Sequence, residues 1–532
     1  MSYMQQNSDK SIVPQTNSSQ RFTTLSKYKV FVGIVGLFLA LAAWSVASPV
    51  GSSPDDDFHL ASIWCGDGIR NGLCEPGSSE NSRMVPLALA HSICYAYNPE
   101  SNATCQDNNL AINPELLYET ERLNTTGLYP PLFYATLGLL ASDHLQVSVV
   151  MMRLVNAAIF TILFSLTFIV VSRKFRSPLL LTYACTLVPL GFFLIPSTNP
   201  SSWAVISIGM FFFLLASLAQ EVSSKRAIAT VVLSVICFTM LVGSRGDGAI
   251  FAAIAVLSSL VLYPPLRKFR IPTLVLFVFF FTAAVFIFLS TGQASVTTEG
   301  LSDQTASATK HSGFNLLLFN ILNMPSLITG VFGSWGLGWL DTVMPPMVWG
   351  IGLIISCIVI FQGMTTTNKR KNLISLAVLA LLFAIPLYVL QKSNAAVGAY
   401  VQPRYIYPLV ILLVAISLIP LTKSTAFSIN FAQKIIIFFG LALAFSISLH
   451  LNMDRYISGI SNPSWDLQTA DGWWWNVPIS AFSVWLVGSI CSLVFFWIAA
   501  SEFQRNVSQS DKVHKRKITQ TGENLEASQQ QA

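Results

Sequence analysis

The chain has 532 residues, of which 53% are hydrophobic and only 11% charged, and its formal net charge is +6. A soluble domain carries about 25% charged residues, so the composition excludes an ordinary soluble protein and points to an all-α polytopic membrane protein. The basic residues cluster at the ends of apolar runs, which suits apposition to anionic membrane lipid and needs no nucleic-acid partner.

Residues 1–29 are rich in Ser, Gln and Asn and are expected to form a disordered cytoplasmic N-terminus. A crossing helix needs roughly 20 mostly apolar residues, which gives about 12 spans. They fall near 30–48, 147–171, 178–196, 203–220, 227–243, 248–264, 271–290, 347–362, 372–390, 407–422, 434–451 and 480–500. The first run is long and lacks a small-x-small cleavage site, so it reads as an uncleaved anchor rather than a signal peptide. Basic clusters at Lys27 and Lys29, 173–176, 223–226, 266–270, 368–371, Lys423 and Lys434, and 512–517 all fall at even-numbered crossings. The positive-inside rule then puts both termini in the cytoplasm, with the protein multi-pass in the plasma membrane. The membrane domain is 30–502, and 503–532 is expected to be a disordered cytoplasmic tail. Large loops at 49–146, 291–346 and 452–479 face outward, where chemistry carried on loops is expected.

The first outer loop opens with "GSSPDDDFHL", residues 51–60. Asp55 suits a helix N-cap, with Asp56 and Asp57 favoured by the helix dipole. The same cluster suits catalysis: one carboxylate takes a proton from an acceptor hydroxyl, and its neighbour orients the acceptor or binds a divalent cation, Mg or Mn. Spacing alone leaves both readings open, and metal dependence with them. Cys65, Cys74, Cys94 and Cys105 follow, an even number in an oxidising compartment, and suggest disulfides. Pairing of sequence neighbours, Cys65 with Cys74 and Cys94 with Cys105, is the expected one of three connectivities. Asn102 and Asn124 stand in Asn-x-Thr sequons, which matter only in a secretory pathway. "TGLYPPLFY", 126–134, approaches the second span with Tyr129 and Tyr134 at the headgroup level. Arg153 lies early in that span and is the main charge within the membrane region.

Further along, "STNPSS" puts Asn199 in a short outer loop, and "GSRGDG" puts Arg245 and Asp247 in another. The two charges could simply pair with each other. The apolar half of the second large loop, Phe314 to Trp349, is broken by Asn, Pro and Gly, and is read as an interfacial or re-entrant element. "YVQPRYIYP", 400–408, gives an outward Arg404 bracketed by Tyr400, Tyr405 and Tyr407. Outward arginines at the lipid boundary suit a phosphate headgroup through forked hydrogen bonds. The third loop ends in "DGWWWN", where Trp473, Trp474 and Trp475 read as an interfacial belt or, more sharply, as a sugar or lipid platform.

An outer acidic cluster with several outer arginines is the layout expected for transfer from a phosphate-linked lipid, with arginines stabilising the leaving phosphate. The ordered motifs "SPDDDFH", "YPPLFY", "NPSS", "SRGDG" and "QPRYIYP" resemble the bacterial predicted membrane proteins grouped as DUF2142, a domain of unknown function, over about residues 30–450. That family's Pro-Asp-Glu-x-x-His motif is matched by Pro54, Asp55, Asp56 and His59, with Asp56 in place of Glu. Its Pro-Pro-Leu-aromatic-Tyr stretch is matched by Pro130 to Tyr134, and its late Arg-Tyr by Arg404 and Tyr405. The family looks like the glycosyltransferase-C superfamily. The resemblance implies that Asp55 or Asp56 is the catalytic base, with His59 a further catalytic candidate in the same motif. Arg404, Arg245 and Tyr405 would bind donor phosphate, and Tyr129, Asp247 and Asn199 would position the acceptor. It implies a polyprenyl-phosphate-linked sugar as donor, a cell-envelope glycan or lipid as acceptor, and loss of transfer in Asp56→Asn. Two other classes remain: a transporter or flippase for a lipid-linked glycan, and a non-catalytic envelope scaffold. The scaffold predicts no groove joining Asp55–Asp57 to Arg404, whereas an enzyme puts them within about 15 Å across one cavity of ordinary ligand size.

Overall fold

The apolar runs fold as helices, which satisfy their backbone polar groups internally, as a bilayer requires. The structure is a computed structural model and describes residues 18–501 apart from 107–109, 111–112, 114, 221–223, 267–269, 296–299, 301–311, 366–367, 400, 422–429, 462 and 468–472. In chain order the helices are α1 (Ser18–Val46), α2 (Asp56–Trp64), α3 (Leu87–His91), α4 (Leu132–Gly138), α5 (Leu145–Val170), α6 (Arg173–Thr186), α7 (Leu190–Leu194), α8 (Ser201–Leu218) and α9 (Ser224–Ser244). They continue with α10 (Gly246–Leu262), α11 (Arg270–Ser290), α12 (Gly313–Asn323), α13 (Pro325–Val331), α14 (Pro346–Met364), α15 (Lys369–Lys392), α16 (Pro403–Leu418), α17 (Phe431–Ser458) and α18 (Ala481–Ser501).

Among the described residues, ten helices are long and apolar enough to cross a membrane, not twelve. The expected span 178–196 is two helices, α6 and α7, parted at residues 187–189. Pro189 has no N–H to give a continuing helix, and it biases Val188 away from the helical region. Helices α10 and α16 have 17 and 16 residues and fall short of a full crossing by length. Gly313–Val331, expected at the interface or re-entrant, qualifies by length and composition. It divides into α12 and α13 at Met324. The expected N-terminal disorder is corrected in part: the backbone is helical from Ser18, while residues 1–17, the tail 503–532 and Tyr400 lie outside the described residues.

Helix α8 is the centre of the bundle. All 18 of its residues are buried, as its uncharged sequence on every face requires. It packs against α9, α10, α5, α16 and α6. Helix α11 lies at the periphery and exposes Phe279 and Phe286.

The long connection between α1 and α5 carries a small antiparallel sheet, β1 (Glu75–Pro76), β2 (Arg83–Pro86) and β3 (Leu117–Thr120), in that order, with Val85 opposite Tyr118. Disulfides join Cys65 to Cys74 and Cys94 to Cys105.

The chain leaving α1 is held with unusual completeness. A helix end leaves carbonyls without partners, and buried carbonyls must find donors. Every carbonyl from Ser45 to Gly51 receives a side-chain donor. Arg153 donates to the carbonyls of Ser45, Ser48 and Pro49 at 3.3, 2.6 and 2.8 Å. Trp475 Nε1 takes Val46 (2.7 Å), and Asn452 takes Ala47 (2.8 Å). Tyr95 and Gln106 share Val50, and Trp339 Nε1 takes Gly51 (3.0 Å). Arg153 is therefore a clamp on the end of α1. The Trp473–Trp475 run is architecture too, not the platform its sequence suggested: Trp474 and Trp475 are buried and Trp473 packs on Trp474 at 4.6 Å.

Candidate functional site

The clamped strand delivers the acidic motif to a fixed place. Asp55 takes the N-cap position of α2, yet its side chain makes no cap hydrogen bond. Its backbone is left-handed (φ 57°) and turns the carboxylate to Arg404, whose Nη2 donates to Oδ2 at 2.5 Å. The two residues are 349 apart in the chain. Arg404 opens α16, and its guanidinium is buried while Asp55 stays about one-third exposed, at 3% against 32%.

Asp56 points the other way. It is fully buried, its Oδ1 accepts from Thr198 Oγ1 (2.7 Å) and its Oδ2 from the Ser53 N–H (2.9 Å). It does not line the cavity below, which corrects the expectation that it works on substrate. Asn199 is corrected likewise: its Nδ2 donates to the Pro54 carbonyl (2.8 Å) and its Oδ1 accepts from the Ser201 N–H, so it braces the motif from the start of α8. With Asp55 on an arginine and both Asp56 oxygens engaged, the two carboxylates do not present a shared cation-binding set. Among the described residues no group of three or more His, Cys, Asp or Glu side chains could hold a metal ion.

His59, one turn after Asp55, shares a hydrogen bond between Nδ1 and the Tyr134 hydroxyl at 2.9 Å. The rings of Phe58, Tyr129 and Tyr134 surround it. Tyr129 is set by Asn124, which bonds its backbone N–H and carbonyl, both at 2.8 Å; the sequon asparagine thus has a packing role.

Arg245 is also buried. It grips Asp247 with Nε and Nη2 (2.8 and 2.6 Å) and donates to Ser201 Oγ through Nη1 (3.1 Å). Its guanidinium lies over Tyr405 (4.8 Å) and nearer that ring than Tyr129 (5.8 Å). Tyr405 also meets Arg404, at 5.0 Å from the ring and 3.0 Å at the hydroxyl. Tyrosine and arginine therefore alternate along one wall, an arrangement in which cation–π contact supports each buried charge. Arg122, after β3, pairs with Asp57. Three aspartate–arginine pairs thus stand around one space.

That space is a cavity of about 820 Å³, lined by Asp55, His59, Tyr129, Arg245, Asp247 and Tyr405 among others. The rest of the lining includes apolar side chains from bundle helices, with Phe251 from α10, Phe288 from α11, Ile385 and Val389 from α15, and Leu409 from α16. The family described as "Predicted membrane protein (DUF2142)" has a model that matches residues 38–414. The chain belongs to the DUF2142 family. Neither a curated protein nor a solved structure matches it. The match takes in the acidic motif, the Tyr129–Tyr134 stretch and Arg404, so the ion pair joins the two ends of the DUF2142 region.

Electrostatics divides the DUF2142 motif by role. Burial pushes the Asp55 carboxyl up, but the charge and hydrogen bond of Arg404 outweigh it with help from Arg122, and the pKa lies below the usual carboxylate value. Burial pushes Asp56 up to about 7, against the hydrogen bond from Thr198. Burial pulls His59 down to about 3, despite the pull of Asp55, so its imidazole is neutral. Asp55 is therefore an ionised carboxylate that reaches the cavity. Backbone strain marks the same place: of four described non-glycine residues with positive φ, three, Asp55, Tyr97 and Leu340, line the cavity.

The charge clusters of the site were visible in the sequence, but Thr198, Tyr97, Trp339 and Arg122 were not singled out. Arg122 carried the available signal, since it is an outer-loop arginine like Arg245 and Arg404. Thr198 has no such mark.

Proposed function

We propose that the chain is a membrane glycosyltransferase of the glycosyltransferase-C kind. It moves a sugar from a polyprenyl-phosphate donor to a cell-envelope glycan or lipid on the outer face of the plasma membrane, with both termini in the cytoplasm. The observation that carries this reading is the Asp55–Arg404 pair at a cavity lined by both charged and apolar side chains. An amphiphilic donor matches both kinds of lining: its prenyl chain suits the apolar side chains of α10, α11, α15 and α16, and its phosphate suits the arginines.

Arg404 does not itself line the cavity, but it holds Asp55, which does, and its Nε and Nη1 are buried with no hydrogen-bond partner among the described residues. A buried unpaired donor is costly, and a phosphate oxygen would satisfy it. Phosphate at Arg404 also draws the guanidinium off Asp55 and makes that carboxylate more basic. Asp55 then takes the proton of the acceptor hydroxyl as its oxygen attacks the anomeric carbon. The carbon–oxygen bond to phosphate breaks, and the lipid phosphate leaves with the electron pair, stabilised by Arg404. His59, neutral and bonded to Tyr134, positions the base. Asp56 and Asn199 hold the turn.

The contact of Arg404 with Asp55, which lines the cavity, favours the enzyme reading over a scaffold. The transporter alternative has little support from Arg153, whose guanidinium is spent on the α1 carbonyls. Lipid-linked sugar profiling tests the proposal. A strain without the gene accumulates one polyprenyl-phosphate sugar and shortens one envelope glycan, and complementation with Asp55→Asn fails to restore either. Unchanged pools and glycans would contradict it.

A further inference from the structure

At the outer mouth of the cavity stand two aromatic residues that catalysis by Asp55 does not use. Tyr97 and Trp339 both line the cavity, with ring centroids 5.0 Å apart at 59°. Tyr97 is 77% exposed and Trp339 half-buried. An exposed aromatic ring is usually loosely held, but this pair is braced from below. Arg455, itself 3% exposed, donates through Nε and Nη2 to Asp341 (3.0 and 2.7 Å), on the turn that carries Trp339. The same guanidinium donates to the carbonyls of Tyr95, Asn98 and Ser101, which flank Tyr97. One buried arginine thus fixes both rings in one frame. The Trp339 indole N–H is spent on Gly51, which leaves the ring to offer its apolar surface. Gly338 lets the turn sit close, because a Cβ there would meet the Tyr456 hydroxyl at 2.6 Å. Tyr97 pays a backbone cost for its position, with φ 61° in the left-handed region.

We propose that Tyr97 and Trp339 form a saccharide subsite that holds a pyranose ring of the acceptor. A pyranose has an apolar C–H face and a polar hydroxyl rim. The aromatic pair matches the face, and Arg122, which lines the same cavity and pairs with Asp57, offers guanidinium donors to the rim. The neighbouring charges are already paired, which favours a neutral polyhydroxyl ligand over a second anion. A lipid tail finds its apolar surface on the bundle-helix side chains of the cavity. The inference names the acceptor class within the glycosyltransferase reading and rests on it.

Saturation-transfer NMR on the full chain in lipid nanodiscs tests the subsite without any transfer chemistry. The probes are the methyl glycosides of glucose, galactose, mannose and rhamnose at millimolar concentration. At least one is expected to receive saturation at its ring C–H protons. Tyr97→Ala weakens that binding roughly tenfold, equivalent to about 1.4 kcal/mol, whereas Tyr97→Phe keeps it within about twofold because the ring remains. Equal thermal unfolding of the Tyr97 variants confirms that the fold is intact, as the exposure of Tyr97 predicts. Asp55→Asn keeps saccharide contact although it loses transfer. No saturation of any probe, or equal binding by Tyr97→Ala and wild type, overturns the subsite. Transfer that depends on Asp55 but not on Tyr97 also overturns it and leaves the enzyme standing. Saccharide contact without any transfer preserves the subsite and removes the enzyme.

Discussion

Asp55 and Asp56 are adjacent, alike in chemistry and opposite in role. Asp55 sits in a left-handed turn, partly open to the cavity and ionised against Arg404, whereas Asp56 is sealed under Thr198 and Ser53. With Asp56 sealed away, the proposed mechanism predicts the opposite of the sequence-based expectation for Asp56→Asn. In that variant the amide donates to Thr198 and its oxygen accepts from Ser53, as a protonated Asp56 would. Asp56→Asn is therefore expected to fold and retain activity. Its stability should respond to pH in a defined direction. The folded-state pKa of Asp56 is raised from 3.8 to about 7, so its contribution is full below 3.8 and lost as pH rises through about 7. His59 works oppositely: its pKa is lowered from 6.5 to about 3, so its contribution is full above 6.5 and lost as pH falls through about 3. Thermal unfolding at pH 5.5 and pH 8.5 (about 1.5 units either side of the raised value) checks the first window. Wild type should lose stability relative to Asp56→Asn at the higher pH, and a constant difference would show that Asp56 is charged throughout.

At the scale of elements, the site depends on the seven residues from Ser45 to Gly51, which end α1 and lead to the acidic motif. Their carbonyls are taken by side chains from α5, α17 and all three outer loops. Losing one clamp leaves buried acceptors without donors. Arg153→Met should lower stability by on the order of 3 kcal/mol, measured as a drop in unfolding midpoint in detergent, with no change in the oligosaccharide or lipid supplied. An unchanged midpoint would mean that those carbonyls reach water. This convergence was the least legible feature of the sequence. Arg153 looked like a stray charge in a span, and "WWWN" like a belt or platform, because sequence shows a donor but not which distant carbonyl lacks one. Elements whose signal is local were clearer. The apolar runs marked most helices, and cysteines only 9 and 11 residues apart marked their partners. The break at Pro189 carried a local signal too, but the surrounding hydrophobicity masked it.

For the whole molecule, the account predicts that the acidic loop and the Arg404 end of α16 share the outer face. That topology came from the basic clusters, whereas the meeting of Asp55 and Arg404 came from the fold. Outer arginines were legible because each opposes the positive-inside bias; their pairing with particular aspartates was not, because it depends on how α2, α10 and α16 pack around α8. A fluorescent protein fused to the C-terminus should be active in the cytoplasm, while alkaline phosphatase inserted in the turn between β1 and β2 should be active outside. The opposite pattern would reject the assigned orientation, and an additional crossing by Gly313–Val331 would put both reporters on the same side. The central claim is that Asp55, held by Arg404, is the base of a sugar transfer. Its most direct test is transfer from radiolabelled polyprenyl-phosphate sugars to envelope glycan by the purified full chain. The account predicts that Asp55→Asn lowers the rate roughly a hundredfold to ten-thousandfold while Asp56→Asn stays near wild type; equal transfer by Asp55→Asn and wild type would contradict it.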